Sequence, residues 1–200
     1  MYRDAFFLTQ NMIDLQHVHK KSLIFLTGFM GSGKSTIGPI LANTLGFEYL
    51  DVDRYIEQKT HKRVVEIFNS EGEQAFRVLE RCALIELTEF HHYVISLGGG
   101  TIANEENCQL VLQEGILVYL KLSPEEIIQR VQYRSDRPML KDEHGNKLSP
   151  PELRNRVLEL IARREQFYAR ADIVITADHM RVGETVDEIA NNIHVLIDEE

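Results

Sequence analysis

The sequence predicts an α/β domain built on a mainly parallel sheet, and three observations predict it. Short apolar runs rich in β-branched residues alternate with amphipathic stretches of helical period. The first of these runs leads straight into a glycine-rich turn and then a helix. Two hundred residues are enough for one domain to bury its own core, so folding requires neither a disulfide nor an oligomer, and a monomer is expected.

Taken in chain order, residues 22–27 form a buried-type strand and residues 34–45 a helix that stops at Gly46. Residues 48–52 make a second strand. Two short helical pieces follow at 53–60 and 65–69, then a longer helix at 73–89. The third strand, 93–97, is broken by Gly98-Gly99-Gly100. Residues 104–113 are helical, and 116–122 form the fourth strand. Ser123-Pro124-Glu125-Glu126 supplies a capping hydroxyl, a proline at the first helical position and an early carboxylate, which start a helix reaching about residue 133. Residues 134–149 are polar and without a period. Pro150-Pro151 opens a helix to about residue 167, residues 172–176 are the fifth strand, and a helix at 182–196 closes the chain.

Composition narrows the function classes. The hydrophobic share of 44% and charged share of 26% are ordinary for a soluble globular protein. A net charge of −9 weighs against general binding to nucleic acid or to a membrane surface, because both are anionic. Eight of the fourteen arginines nevertheless lie between Arg130 and Arg170, a locally cationic stretch that suits an anionic small molecule. Cys82 and Cys108 have neither a disulfide-framework nor a metal-site spacing, and both read as buried thiols on helices. No stretch approaches the length of a transmembrane helix. Residues 1–20 carry Phe6-Phe7-Leu8 but also Asp4 and Asp14, and they lack the long apolar run of a secretory signal. They read as an N-terminal extension to a single domain at 21–200, and a cytoplasmic location is expected.

The strongest motif is Gly28-Phe29-Met30-Gly31-Ser32-Gly33-Lys34-Ser35, which matches the phosphate-binding loop: glycine, any four residues, glycine, lysine, serine. Its glycines let successive backbone N–H groups curl round one anion. The helix that follows turns its unpaired N–H groups and positive dipole end toward the same point. Lys34 reaches the β- and γ-phosphates, and the Ser35 hydroxyl suits Mg²⁺. The motif follows a buried strand and opens a helix, which is the context it requires.

Four further features bear on the substrate. Asp51-Val52-Asp53 ends the second strand at the edge where open α/β sheets bind ligands. Strand alternation puts both carboxylates on one side, one for the Mg²⁺ water shell and one for a substrate hydroxyl, or else Asp53 simply caps the next helix. Arg77 lies three residues before Glu80 on one helical face, as a surface ion pair or as an oriented fork for a substrate carboxylate. Gly98, Gly99 and Gly100 either allow close backbone approach to a ligand or merely form a turn. Arg137-Pro138 sits in the polar segment between helices, as a lid arginine would, and Arg164 either faces a helix C-terminal dipole or completes a clamp with Arg77.

The loop from Gly28 to Thr36, the Asp51/Asp53 pair, Phe76-Arg77, the triple glycine, Arg137-Pro138 and Arg164 together resemble the shikimate kinases in order and spacing. The resemblance implies a three-layer α/β/α fold with a five-stranded parallel sheet in the order 2-3-1-4-5. It also implies a substrate-binding subdomain at about 53–89 and a lid at about 132–148. The implied cofactors are ATP and Mg²⁺. Gly31, Ser32, Gly33, Lys34, Ser35 and Thr36 would hold the nucleotide phosphates, with Arg130 near the adenine and Arg137 on the transferring group. Ser35 and Asp51 would serve the metal, and Asp53 would bind and deprotonate the acceptor hydroxyl. Arg77, Arg164, Gly98, Gly99 and Gly100 would hold shikimate. Pro39, where the family usually has arginine, and Gln166-Phe167, in place of proline-leucine, depart from the pattern, and the match weakens at 178–183, Arg181 included. A gluconate or nucleotide kinase of the same fold is the nearest alternative. A GTPase switch is disfavoured because Asn146-Lys147 is followed by Leu148-Ser149 and not by the guanine-recognition aspartate.

Overall fold

The computed structural model describes residues 22–132, 138–140 and 146–198. Five strands, β1 Leu23–Thr27, β2 Glu48–Asp51, β3 Tyr93–Ser96, β4 Ile116–Lys121 and β5 Ile173–Thr176, form one sheet. Their order is β2-β3-β1-β4-β5, and every neighbouring pair is parallel. Around them, among the described residues, lie α1 Lys34–Leu45, α2 Val52–Thr60, α3 Val64–Leu87, α4 Glu105–Glu114, α5 Pro124–Val131, α6 Pro150–Tyr168 and α7 Val182–Asp198, with a 3₁₀ turn at Pro138–Leu140. The layered α/β architecture and sheet order expected from the resemblance are therefore present.

Helices on both faces explain why β1 is buried throughout and apolar up to Thr27. Leu23 and Phe25 join Ile56, Phe76, Leu84 and Cys108 on one face. Ile24 and Leu26 point the other way, against Ile37 and Leu41 of α1 and Ile189 and Ile193 of α7. A third cluster joins Phe29 of the glycine-rich loop to Ile127 and Val131 of α5 and to Leu153, Val157 and Leu160 of α6. That cluster fixes the loop against the helix bearing Arg164.

The helix starts follow their caps. Asn104 accepts from the Asn107 N–H at 2.9 Å, Ser123 accepts from the Glu126 N–H at 3.3 Å, and Ser149 forms a capping box with Glu152. The two helical pieces expected on either side of residue 70 meet within α3 at Gly72, whose φ of 85° and ψ of 170° are non-helical.

Two expectations need correction. The second strand ends at Asp51 and not at Val52, so Asp51 and Asp53 are not alternate strand residues. Asp51 is the N-cap of α2, its Oδ1 accepting from the Arg54 N–H at 3.2 Å, and Asp53 sits in the first helical turn. A carboxylate placed just ahead of unpaired helix N–H groups ends the strand early. Cys108 is buried as expected, but Cys82 is exposed. It shares the outer stripe of α3 with Val78 and Ile85, which are 60% and 48% exposed, so helical period alone misassigned that face. Among the described residues, no helix is long and apolar enough to cross a membrane.

Candidate active site

The loop between β1 and α1 takes its shape from glycines at positive φ: Gly28 at 142°, Gly31 at 85° and Gly33 at 100°. Gly33 precedes α1, and its carbonyl accepts from the Thr36 and Ile37 N–H groups at 2.9 Å each. Lys34 is buried, and its ammonium lies inside the loop, donating to the Gly28 carbonyl at 2.7 Å and the Phe29 carbonyl at 3.2 Å. The cation is thus held within the concavity that would receive phosphate. Ser35 and Thr36 are exposed in the first turn of α1. Arg130 on α5 flanks the loop, with Nη1 donating to the Gly31 carbonyl at 3.2 Å and Nε to Glu126 at 3.0 Å.

Beside the loop opens a cavity lined by Met30, Asp53, Val64, Phe68, Phe76, Arg77, Glu80, Met139, Arg164 and the triple glycine. The glycines form its floor, and at Gly98 and Gly100 there is no room for a side chain. A Cβ on Gly98 would lie 2.9 Å from Glu80 Oε1 and 3.1 Å from Asp53 Oδ1, and one on Gly100 would lie 2.8 Å from Arg77 Nη2. A Cβ on Gly99 would lie 3.4 Å from Arg164 Nη1 and 3.5 Å from both the Gly28 oxygen and the Met30 nitrogen. The turn therefore lies beside the phosphate loop, the carboxylate and both arginines, with space for little between them.

Arg77 is not a plain surface pair. Its Nη1 donates to Glu80 at 2.7 Å and its Nη2 to Glu73 at 2.9 Å, and the Glu80 side chain is only 1% exposed. Burial alone would lower the Arg77 pKa, but the two carboxylates outweigh it and hold the guanidinium firmly charged. Glu80 is fixed in turn by the Thr101 hydroxyl at 2.6 Å, and the Thr101 carbonyl by Asn107 Nδ2 at 2.7 Å. The guanidinium also lies 5.5 Å from the centroid of the Phe76 ring.

Arg164 differs from its neighbours in the cationic stretch. Arg130, Arg154, Arg156, Arg163 and Arg170 all form ion pairs with glutamates. Arg164 is 5% exposed, its guanidinium lies 5.6 Å from the Phe29 ring centroid, and its buried Nη1 has no hydrogen-bond partner among the described residues. A buried, unsatisfied donor on a charged group is costly, and an anionic ligand in this cavity would satisfy it.

Asp53, Arg77, Arg164 and Gly98–Gly100 thus share one cavity next to Lys34 and the phosphate loop. Asp51 stands at the end of β2 as a cap, and Arg137 lies outside the described residues. In the weakly matching stretch, the Arg181 N–H donates to Glu184 at 3.0 Å and Asp178 accepts from the Ser123 N–H at 2.9 Å. Sequence reasoning missed Thr101, Asn107, Phe29 and Tyr168. Of these, only Tyr168 left a usable signal, one helical turn beyond Arg164.

Sheet order, loop and adjoining cavity define a P-loop fold of the small-molecule kinase type. The family model described as shikimate kinase matches residues 30–194. The shikimate kinase of Chlorobaculum tepidum is 47% identical over 172 residues, covering 86% of this chain and 90% of its own. Among solved structures, shikimate kinase from Bacteroides thetaiotaomicron superposes with a TM-score of 0.78 at 33% identity, covering 86% of this chain and 98% of its own. Shikimate kinase from Acinetobacter baumannii in complex with shikimate gives 0.79 at 31% identity, covering 92% and 97%. The chain belongs to the shikimate kinase family.

Proposed function

We propose that this protein transfers the γ-phosphoryl group of ATP to the 3-hydroxyl of shikimate, a step of aromatic amino-acid biosynthesis. The observation that carries the reading is the buried Nη1 of Arg164, without a hydrogen-bond partner among the described residues and set with Arg77 and Asp53 in a cavity that adjoins the phosphate loop. A ring bearing one carboxylate and several hydroxyls matches that set, because two guanidinium groups take the carboxylate and an aspartate takes a hydroxyl.

In this mechanism Gly31 to Thr36 cradle the phosphates, and Lys34 exchanges its carbonyl partners for phosphate oxygens as charge builds in the transition state. Arg77 and Arg164 hold the carboxylate. Asp53 orients the acceptor hydroxyl toward the γ-phosphorus and takes its proton. Arg130 borders the base-binding side, and Arg137 is assigned to the lid and to the transferring group. No cluster of three or more histidine, cysteine or acidic residues able to hold a metal exists among the described residues. A hydroxyl and a carboxylate at the loop's edge suit Mg²⁺, which is carried largely by phosphate and water. Ser35 would ligate it directly and Asp51 through water, and the ion would neutralise phosphate charge.

A coupled ADP-release assay with ATP, Mg²⁺ and a substrate panel tests the reading. Shikimate should turn over, and gluconate and nucleoside monophosphates should not. Turnover of one of the latter without shikimate would overturn it. Arg77→Ala and Arg164→Ala should each raise the KM for shikimate, a loss of ~2–5 kcal/mol in apparent binding. An unchanged KM in both would remove the clamp.

A further inference from the structure

Tyr168 closes α6 and is 1% exposed, among the largest fully buried side chains of the protein. Its ring lies 4.9 Å from that of Tyr119 on β4, centroid to centroid. Its hydroxyl donates to the carbonyl oxygen of Gly99. On its cavity side Gly99 lies beside both the phosphate loop and Arg164, since a Cβ there would come within 3.5 Å of Gly28, Met30 and the Arg164 guanidinium. One turn of α6 therefore presents two groups to one peptide, the Arg164 guanidinium to its cavity side and the Tyr168 hydroxyl to its carbonyl.

We infer that Tyr168 is a positioning residue for phosphoryl transfer, its hydroxyl pinning the Gly99 peptide so that the acceptor floor and the phosphate loop keep their reacting separation. The inference rests on the functional reading above. A carbonyl held from behind cannot rotate into the cavity, so the Gly99 and Gly100 backbone stays turned toward the acceptor. Phosphoryl transfer depends almost wholly on positioning, so a small shift of this floor acts on the rate as well as on acceptor binding. Tyr168 itself reaches no reacting atom. Burial pushes its phenol up to about 12, which keeps it a donor at every working pH.

Tyr168→Phe keeps the ring and removes only the donor. The expected result is a KM for shikimate raised roughly tenfold and a kcat lowered severalfold, with the KM for ATP within about twofold of wild type. Incorporating p-aminophenylalanine at the same position restores an N–H donor and should recover most of the loss. If Tyr168→Phe does not fold, this replacement alone carries the test and must show near wild-type constants for shikimate. A lowered melting temperature with shikimate kinetics unchanged would make the residue merely structural and overturn the inference. An ATP KM raised as much as that of shikimate would also overturn it. Wild-type turnover of shikimate in the same assay separates the two questions: if it fails, the functional reading falls first, and if it succeeds, only the role of Tyr168 is at stake.

Discussion

A methyl group on residue 100 would sit 2.8 Å from Arg77 Nη2, closer than real contacts allow, and a tight 3.0 Å from Nη1. The atoms it meets are the far end of a long side chain, so the fold can yield by moving the guanidinium. The fork that Glu80 and Glu73 hold would then point elsewhere. Gly100→Ala should therefore raise the KM for shikimate about tenfold while costing under about 1 kcal/mol of stability. Gly98→Ala is the contrast: its Cβ would meet Glu80 Oε1, Thr101 Oγ1 and Asp53 Oδ1 within 3.1 Å, all parts of a polar network with little room to move. It should lose stability and binding together. Parallel urea titrations and steady-state kinetics on the two variants distinguish these outcomes. If Gly100→Ala lost stability as severely as Gly98→Ala with no change in KM, the turn would be shaped by packing and not by the clamp.

Helix α1 carries its own departure, Pro39, in its interior. Proline has no N–H, so the Ser35 carbonyl one turn earlier loses its helical partner, and the ring crowds that same carbonyl. Pro39→Ala should stabilise the protein by about 1–3 kcal/mol, seen as a higher urea midpoint with an unchanged slope. A lower midpoint would mean that the helix is already bent to suit proline. Elements such as α1 and β1 were legible because their signals are local: a glycine motif, a buried run, a stop at Gly46. Gly72 was equally readable as a break between two helical pieces. The end of β2 was not, because alternation and capping compete for Asp51 and the choice depends on how α2 leaves the sheet. The site divides along the same line. The phosphate loop and the Arg77–Glu80 pair lie within a few residues of sequence, whereas Tyr168 and Gly99 are 69 residues apart and Thr101 and Glu80 are 21 apart. Such pairs become neighbours only through the parallel crossovers, and no periodicity encodes them.

Across the whole molecule, phenols buried against the sheet tie stability to alkaline pH. Burial pushes Tyr168 up to about 12 from an ordinary 10, and burial with nearby Glu165 also raises Tyr119. A phenol is neutral when protonated, so a raised folded value means that the unfolded chain releases its proton first. The contribution is complete below pH 10, the unfolded value, and is lost as pH climbs through about 12. Two pH units correspond to about 3 kcal/mol for Tyr168. Urea midpoints measured from pH 8 to pH 12 should thus hold steady and then fall above about pH 10. Lysines titrate in the same range, so the decisive quantity is the difference between wild type and Tyr168→Phe. The variant should be less stable at neutral pH, where the Gly99 carbonyl loses its donor, and should fall less steeply with rising pH until the two curves converge. Parallel curves would show that Tyr168 ionises no later in the folded chain than in the unfolded one. The hydroxyl would then not be sealed between α6 and the glycine turn, and the floor of the acceptor cavity would lack the anchor that joins it to the helix of Arg164.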